Sequence, residues 1–379
     1  MSVQSKPEDT VTLLGVGDVG SDWWRVNPPE DIYRYVAPVI READIAFAQQ
    51  EGLWTEKDDS HQDIIRTVHR QQRNYAPLLA KCGFNVVSVA SNHCFMYGPN
   101  EFITNIENHR RAGFAVVGGG KNIRQAREPA ILERKGVRVA FLAYVSVIDP
   151  KDAAGEDTVG VAPMRVRTFY EPTSDKVPGW PHVKVFTIIY PEDLEALEQD
   201  VRNAKAQADV VVVSIHGGIS DSRSLIADYQ ITVNHAAIDA GADLILGHHA
   251  HILKGIEVYK GKACFYGLCN FLQVGARERL LAGRHRIAKI SKVPDPGPEW
   301  PLYVYHPEAR MSMVAKCLIT KQGIQRVSFL PVAINGQAQP RILSKAEPEF
   351  EKTVQYVRDI SADYFKTSFE VEGDEVLIR

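Results

Sequence analysis

Three histidines close one apolar run, because residues 242–251 read Ala-Asp-Leu-Ile-Leu-Gly-His-His-Ala-His. An apolar run stopped by glycine predicts a buried strand that opens into a ligand-bearing loop. Neutral imidazole is the commonest side-chain ligand of transition metals, and His249 and His251, two apart, can turn toward one ion from a looped backbone. For this stretch alone, a surface loop with incidental histidines or one satisfied core histidine is the alternative. Four more strand-like runs weigh against it. They stop at Asp18 (after Gly15-Val16-Gly17), Glu51 (after Gln49-Gln50), Asn92-His93 (after Ser91) and His216 (before Gly217-Gly218). Carboxylates suit hard cations, an amide oxygen can join them, and imidazole can carry a proton near neutral pH.

Such residues act together only if the chain brings those strand ends to one edge. Strand patterns at 11–17, 43–48, 84–90, 114–117, 137–147 and 209–215 alternate with helical patterns at 30–42, 75–81, 100–111, 192–208 and 225–240. That alternation predicts an α/β architecture with its ligands at strand ends. Hairpins are expected at 256–259 with 263–268 around Gly261, and at 311–320 with 324–332 around Gln322-Gly323. A C-terminal helix is expected at 345–364. Residues 149–183 carry Pro150, Gly155, Gly160, Pro163, Pro172, Pro178 and Pro181, and read as a lid or an insertion. The Pro-rich stretch 294–307 reads as an excursion over the surface. One domain spans 1–379, with insertions near 149–183 and 277–307. Arg277, Arg279, Arg284, His285 and Arg286 form either a solvated face or a local clamp for an anion. We expect a clamp, with Arg279, Arg284, Tyr266 and Asn270 lining the substrate rim.

Composition narrows the partners. The 379 residues are 45% hydrophobic and carry 44 basic against 47 acidic side chains, a net charge of -3 with no long single-sign block. Neither a nucleic-acid tail nor a basic membrane face is indicated. The expected partner is a small anionic or peptide-like substrate, and the oligomeric state stays open. Five cysteines without a CxxC pair suggest free thiols in a reducing compartment. Cys94 and Cys269 adjoin candidate site residues, as reactive thiols or as small packed side chains. The N-terminus has no apolar h-region and no run of about twenty apolar residues follows, so a soluble cytoplasmic protein is expected. Gly15, Gly17 and Gly20 fit neither GxxxxGK[ST] nor GxGxxG, which argues against a nucleotide fold.

Gly17-Asp18, Glu51, Ser91-Asn92-His93, His216-Gly217, Gly247-His248-His249-Ala250-His251 and Tyr266-Gly267-Leu268-Cys269-Asn270-Phe271, in this order, resemble the CapA family of capsule and poly-γ-glutamate biosynthesis proteins. The resemblance runs from Val11 to Ile334. That family is similar to metallophosphoesterases, so the resemblance implies a four-layer α-β-β-α sandwich of two mixed sheets flanked by helices. It further implies one or two divalent ions (Mn, Fe or Zn) held by Asp18, Glu51, Asn92, His216, His249 and His251. His93 would then be the proton donor, with His248 beside it on the catalytic side, orienting a neighbour. Several motifs depart from the relatives' pattern. Val19-Gly20 follows Asp18 where metallophosphoesterases have Asp-x-His, and Glu51 stands in place of their bridging aspartate. Gln49-Gln50-Glu51, His216-Gly217-Gly218-Ile219-Ser220 and Cys269 replace the family's Asn-Leu-Glu, His-Trp-Gly-x-Glu and second glycine of Tyr-Ser-Leu-Gly-Asn-Phe, which points to a different substrate.

The leading expectation is a metal-dependent hydrolase of a phosphoester or of a glutamyl- or peptide-type amide. One alternative is a capsule, poly-γ-glutamate or peptide-modifying biosynthetic protein that uses the same centre without hydrolysis. The other is a metal-binding protein without turnover.

Overall fold

In the computed structural model, which describes residues 9–20, 22–54, 74–172, 183–278, 281 and 295–379, the β-rich runs pair into two mixed sheets. The larger has nine strands, in the order Phe369–Glu372, Glu375–Ile378, Gly323–Ile334, Met311–Thr320, Val11–Val19, Ile45–Gln50, Val86–Ser88, Ala115–Val117, with Pro340–Ile342 also on Gly323–Ile334. Its half from Val11–Val19 to Ala115–Val117 is parallel and the other half antiparallel. The second sheet orders Ile256–Tyr259, Lys262–Phe265, Leu244–His248, Val210–His216, Val137–Val145, Ala130–Arg134, with parallel pairing among the inner four. Parallel strands joined by crossovers point the same way, so their C-terminal ends gather at one edge of each sheet.

Strand Val210–His216 is β-branched almost throughout because both of its faces are covered. Val210 and Val212 belong to the cluster shared with the larger sheet. Val211 and Val213 pack with Leu197 and Val201 of helix Pro191–Lys205 and with Val233 and Ala237 of helix Asp228–Ala240. The two sheets meet closely. Phe47 stacks on Phe141 with ring centroids 5.8 Å apart, and a Cβ on Gly15 would lie 2.9 Å from Leu246 Cδ1.

Three expectations change. Residues 149–183 are not irregular throughout, because Val166–Pro172 pairs antiparallel with Val183–Ile189 in a separate ribbon. Alternation there is hidden by a pattern that is apolar on neither face consistently, and Pro172 comes last in its strand. The helix expected at 30–42 divides into a 3-10 turn Pro29–Tyr33 and a short helix Ala37–Arg41. The Pro-rich stretch before Pro307 does not merely cross the surface: Tyr303 is fully buried and bridges to Gly275.

Helix Pro99–Arg111 fixes the strand end that carries Glu51. Asn105 exchanges side-chain bonds with Gln50 and accepts from the Trp54 backbone. One turn on, His109 stacks on Trp54 with centroids 5.1 Å apart. Burial pushes His109 down from 6.5 to about 4, partly opposed by its bond to the Asn105 carbonyl. A histidine neutral in the fold but protonated when unfolded contributes stability above pH 6.5, and that stability is lost as pH falls through about 4. Between pH 7 and 4 the wild type should therefore lose about 3 kcal/mol more stability to denaturant unfolding than His109→Gln does.

Candidate metal centre

The first strand delivers Asp18 through a close backbone approach. Its N–H donates to Cys269 O at 2.8 Å and its carbonyl accepts from Phe271 N at 2.9 Å. A Cβ on Gly17 would come within 2.0 Å of Cys269 O, so no other residue fits there. The second strand delivers Glu51, whose N–H donates to Val19 O. Ser91 Oγ donates to the Glu51 carbonyl at 2.7 Å and lies 3.2 Å from Oε2. In the second sheet His216 and His248 are register partners on adjacent parallel strands. Gly247 lets that strand pass Phe265 and Tyr266, since a Cβ would meet their backbone at 2.5 Å.

Beyond Gly247 the chain takes a conformation that side chains resist. His249 has φ 82° and His251 φ 56°, and the facing Cys269 has φ 67°. Left-handed backbone at a non-glycine residue costs on the order of 1 kcal/mol or more, and a packed surrounding must impose it. Here the imposed turn brings His249 N–H to Asp18 Oδ2 at 3.1 Å.

The six expected ligands converge. His216 Nε2 lies 3.2 Å from Glu51 Oε2 and 2.8 Å from Asn92 Oδ1. His251 Nε2 lies 3.4 Å from Glu51 Oε1, and His251 Nδ1 lies 3.6 Å from Asp18 Oδ2. The rings of His216 and His249 are 5.1 Å apart, those of His249 and His251 6.0 Å. Two groups could each surround a cation, Glu51 with His216 and His249, and Asp18 with Glu51 and His251, the ligand atoms of each lying within 4.8 Å of one another. Glu51 belongs to both.

Asp18 Oδ1, Glu51 Oε1, His216 Nδ1 and His249 Nδ1 are buried, and among the described residues none has a hydrogen-bond partner. Leaving each such atom unsatisfied costs about 1–3 kcal/mol, a cost that a cation held by these residues would relieve. Carboxylate oxygens and imidazole nitrogens suit a borderline divalent cation better than a thiolate-seeking one. The residues present therefore fit such an ion.

Protonation follows the same geometry. Burial would raise the Glu51 carboxyl, but His216, His251 and His93 around it hold it well below the usual carboxylate range. Burial pushes His216 down to about 3 and lowers His249 as well, leaving both neutral. Burial also disfavours charge on His251, yet Glu51, Asp18 and Asn270 outweigh it and raise His251 to about 10. Without a cation, then, the two carboxylates hold a proton on His251.

His93 reaches the same carboxylate, with Nε2 3.5 Å from Glu51 Oε1, and keeps a third of its side chain open to solvent. His248 is fully buried, its Nδ1 3.5 Å from Asp18 Oδ1 and its ring 5.9 Å from Phe47. It packs beside Asp18 without a hydrogen bond to it, both of its ring nitrogens being buried and without a hydrogen-bond partner among the described residues.

Two of the four residues expected on the substrate rim, Tyr266 and Asn270, take other places. Tyr266 is packed against the helical layer, donating to Glu257 Oε2 at 2.7 Å and stacking on Phe365. Period-two alternation from Cys264 puts it there, while Phe265 faces the other sheet. Asn270 is fully buried. Its Oδ1 lies 2.8 Å from His251 Nδ1 and its Nδ2 donates to Tyr303 OH at 3.0 Å, so it holds the His251 ring with Nε2 toward Glu51. Arg279 and Arg284 lie outside the described residues, and Arg277 is engaged in a two-bond fork with Asp295. Cys94 and Cys269 are buried, and burial pushes both thiols up. Tyr305 also belongs to the site, its ring 5.9 Å from His251 and its hydroxyl accepting from Gln273 at 2.9 Å. The alternation Tyr303-Val304-Tyr305 is the sequence signal for it.

Among the described residues no helix is long and apolar enough to cross a membrane. Residues 12–274 match the family described as bacterial capsule synthesis protein PGA_cap. The chain is 28% identical over 277 residues to the PGA biosynthesis protein CapA of Bacillus subtilis, covering 71% of this chain and 65% of that protein. It is 25% identical over 285 residues to the capsule biosynthesis protein CapA of Bacillus anthracis, covering 71% and 61%. A probable polyglutamine synthesis accessory protein of Mycobacterium tuberculosis is 27% identical over 214 residues, covering 55% and 50%. The chain thus spans less than two thirds of the length of these relatives. With both the site motifs and most of the folded chain inside the matched region, the chain belongs to the bacterial capsule synthesis protein PGA_cap family.

Proposed function

We propose that this chain is a metal-dependent hydrolase acting on an anionic phosphoester or on a glutamyl- or peptide-type amide. The observation that carries this reading is the set of orphaned buried atoms on Asp18, Glu51, His216 and His249, with the partly open His93 at its margin. On this reading the two packed sheets and their flanking helices form a four-layer α-β-β-α arrangement of metallophosphoesterase type in one domain. Asp18, Glu51, Asn92, His216, His249 and His251 hold one or two ions, Mn, Fe or Zn by the chemistry of the donors. Bound there, a divalent ion supplies Lewis-acid polarisation of the scissile group and activation of water at neutral pH.

The protein's own residues do the rest. His93 is exposed on one side and 3.5 Å from Glu51 on the other, so it can deliver a proton to a departing oxygen or nitrogen from the cleft. Asn270, held by Tyr303, keeps His251 turned with Nε2 inward. His248, packed with Nδ1 3.5 Å from Asp18 Oδ1, limits where that carboxylate can turn. Two relatives carry names from PGA and capsule biosynthesis, which supports the glutamyl amide as the first substrate class to try.

Elemental analysis of purified protein, followed by assays on nitrophenyl phosphate, bis-nitrophenyl phosphate and γ-glutamyl nitroanilide with added Mn²⁺, Zn²⁺ or Fe²⁺, tests the reading. We expect near-stoichiometric metal and turnover that chelation removes and one of these ions restores. Metal binding without turnover on either class would favour a site that binds and does not hydrolyse.

A further inference from the structure

The ribbon Val166–Pro172 with Val183–Ile189 carries half of the large exposed hydrophobic side chains among the described residues: Phe169, Tyr170, Val183, Val185, Phe186 and Ile188, each 41–69% exposed. A two-stranded ribbon is marginal in water, and an apolar patch of this kind on an unpaired edge is a template for association. Its base is held firmly. Arg165 forks onto Asp193, and Arg165 and Arg167 both lie over the Tyr190 ring.

The two edges of the ribbon differ. Thr187 N–H donates to Asp228 Oδ2 at 3.2 Å, and Tyr229 N–H donates to Thr187 Oγ1, so the start of helix Asp228–Ala240 covers the Val183–Ile189 edge. Because Thr187 bonds outward, its register partner Thr168 sits in a non-hydrogen-bonded pair and also turns its N–H and C=O outward. Tyr170, two residues on, does the same. Among the described residues, no strand pairs with this second edge.

We propose that the edge Val166–Pro172 pairs antiparallel with the same edge of a second copy of this chain, joining the two ribbons into one four-stranded sheet about a two-fold axis at Phe169. Two copies suit each other because the edge is self-complementary in this register. Thr168 meets the partner's Tyr170 as a hydrogen-bonded pair, and neither is proline. Phe169 meets its own copy. Arg167 directly faces the partner's Glu171, so each copy offers one cation and one anion in mirrored order. A shift by two residues toward Pro172 would move proline from the end pair, where it faces Val166, inward to face Thr168 and would part Arg167 from Glu171, and a shift the other way would set Glu171 against Arg165, which Asp193 already holds.

Sedimentation velocity on the full chain, from about 1 to about 100 µM, the range where a modest interface is half-assembled, should show a monomer–dimer equilibrium. Arg167→Glu and Glu171→Arg should each weaken the dimer by tenfold or more, and the two together should recover most of the loss. Thr168→Pro removes only an outward donor and should leave a folded monomer by circular dichroism. A monomer at every concentration overturns the proposal, as does a dimer indifferent to all of these variants. Flotation of a monomeric wild type with phosphatidylglycerol–phosphatidylcholine vesicles, lost on Tyr170→Ser, would instead assign the patch to a bilayer surface and overturn it equally.

Discussion

Glu51→Gln is expected to strip the protein of bound divalent metal and to lower turnover by about 10³-fold or more, the equivalent of about 4 kcal/mol in the barrier. Glu51 is the one side chain common to both ligand groups, and each of its oxygens faces a different histidine. An amide of the same shape keeps the Ser91 contact but loses the charge that balances a cation. Folding should survive, because a buried carboxylate with one unpartnered oxygen is itself a cost to the empty protein. The paired measurement is elemental analysis together with thermal melting with and without added Mn²⁺. The wild type should gain stability as the ion binds the native state, and the variant should not. Full metal content in Glu51→Gln would remove Glu51 from the ligand set.

His93→Ala is expected to behave differently: metal content and melting temperature unchanged, turnover down by roughly 10²–10⁴, the range for a lost general acid. His93 lies beside Glu51 and is partly open to solvent, whereas His216 is fully enclosed. The loss should be smaller for nitrophenolate, which leaves without a proton, than for an alkoxide or amine. Comparing the two leaving groups in one variant separates proton delivery from general damage. If metal is lost in proportion to activity, His93 is a ligand.

Much of the centre was legible because strand ends are marked twice, by an apolar run that stops and by a polar residue that follows. Asp18, Glu51, Asn92, His216, His249 and His251 all carry that mark, and parallel pairing brings them to one edge. Residues whose role depends on a partner distant in sequence were not legible. Asn270 reads as a substrate contact until Tyr303, thirty-three positions on, is seen to hold its amide. Tyr266 sits next to site motifs in sequence, but side-chain alternation turns it to the opposite face of its strand. The ribbon escaped for a different cause. Its strands bury almost nothing, so the apolar-in, polar-out rhythm that identifies a strand is absent from them.

The candidate ligands do not come from one scaffold. Asp18, Glu51 and Asn92 lie at or beyond the ends of strands of the nine-stranded sheet, whereas His216, His249 and His251 lie at or beyond the ends of strands of the six-stranded one. The distances at the centre are therefore set by how the two sheets lie on each other, through contacts such as Phe47 on Phe141 and Leu246 against Gly15. The hydrocarbon interior acts as a gauge block, and on the proposed reading selectivity among ions of different radius would be written partly in methyl groups that never touch the ion. A bulkier side chain at Gly15 would press on the Leu246 methyls, and any shift of one sheet on the other that followed would change the spacing of the candidate ligands without altering one of them.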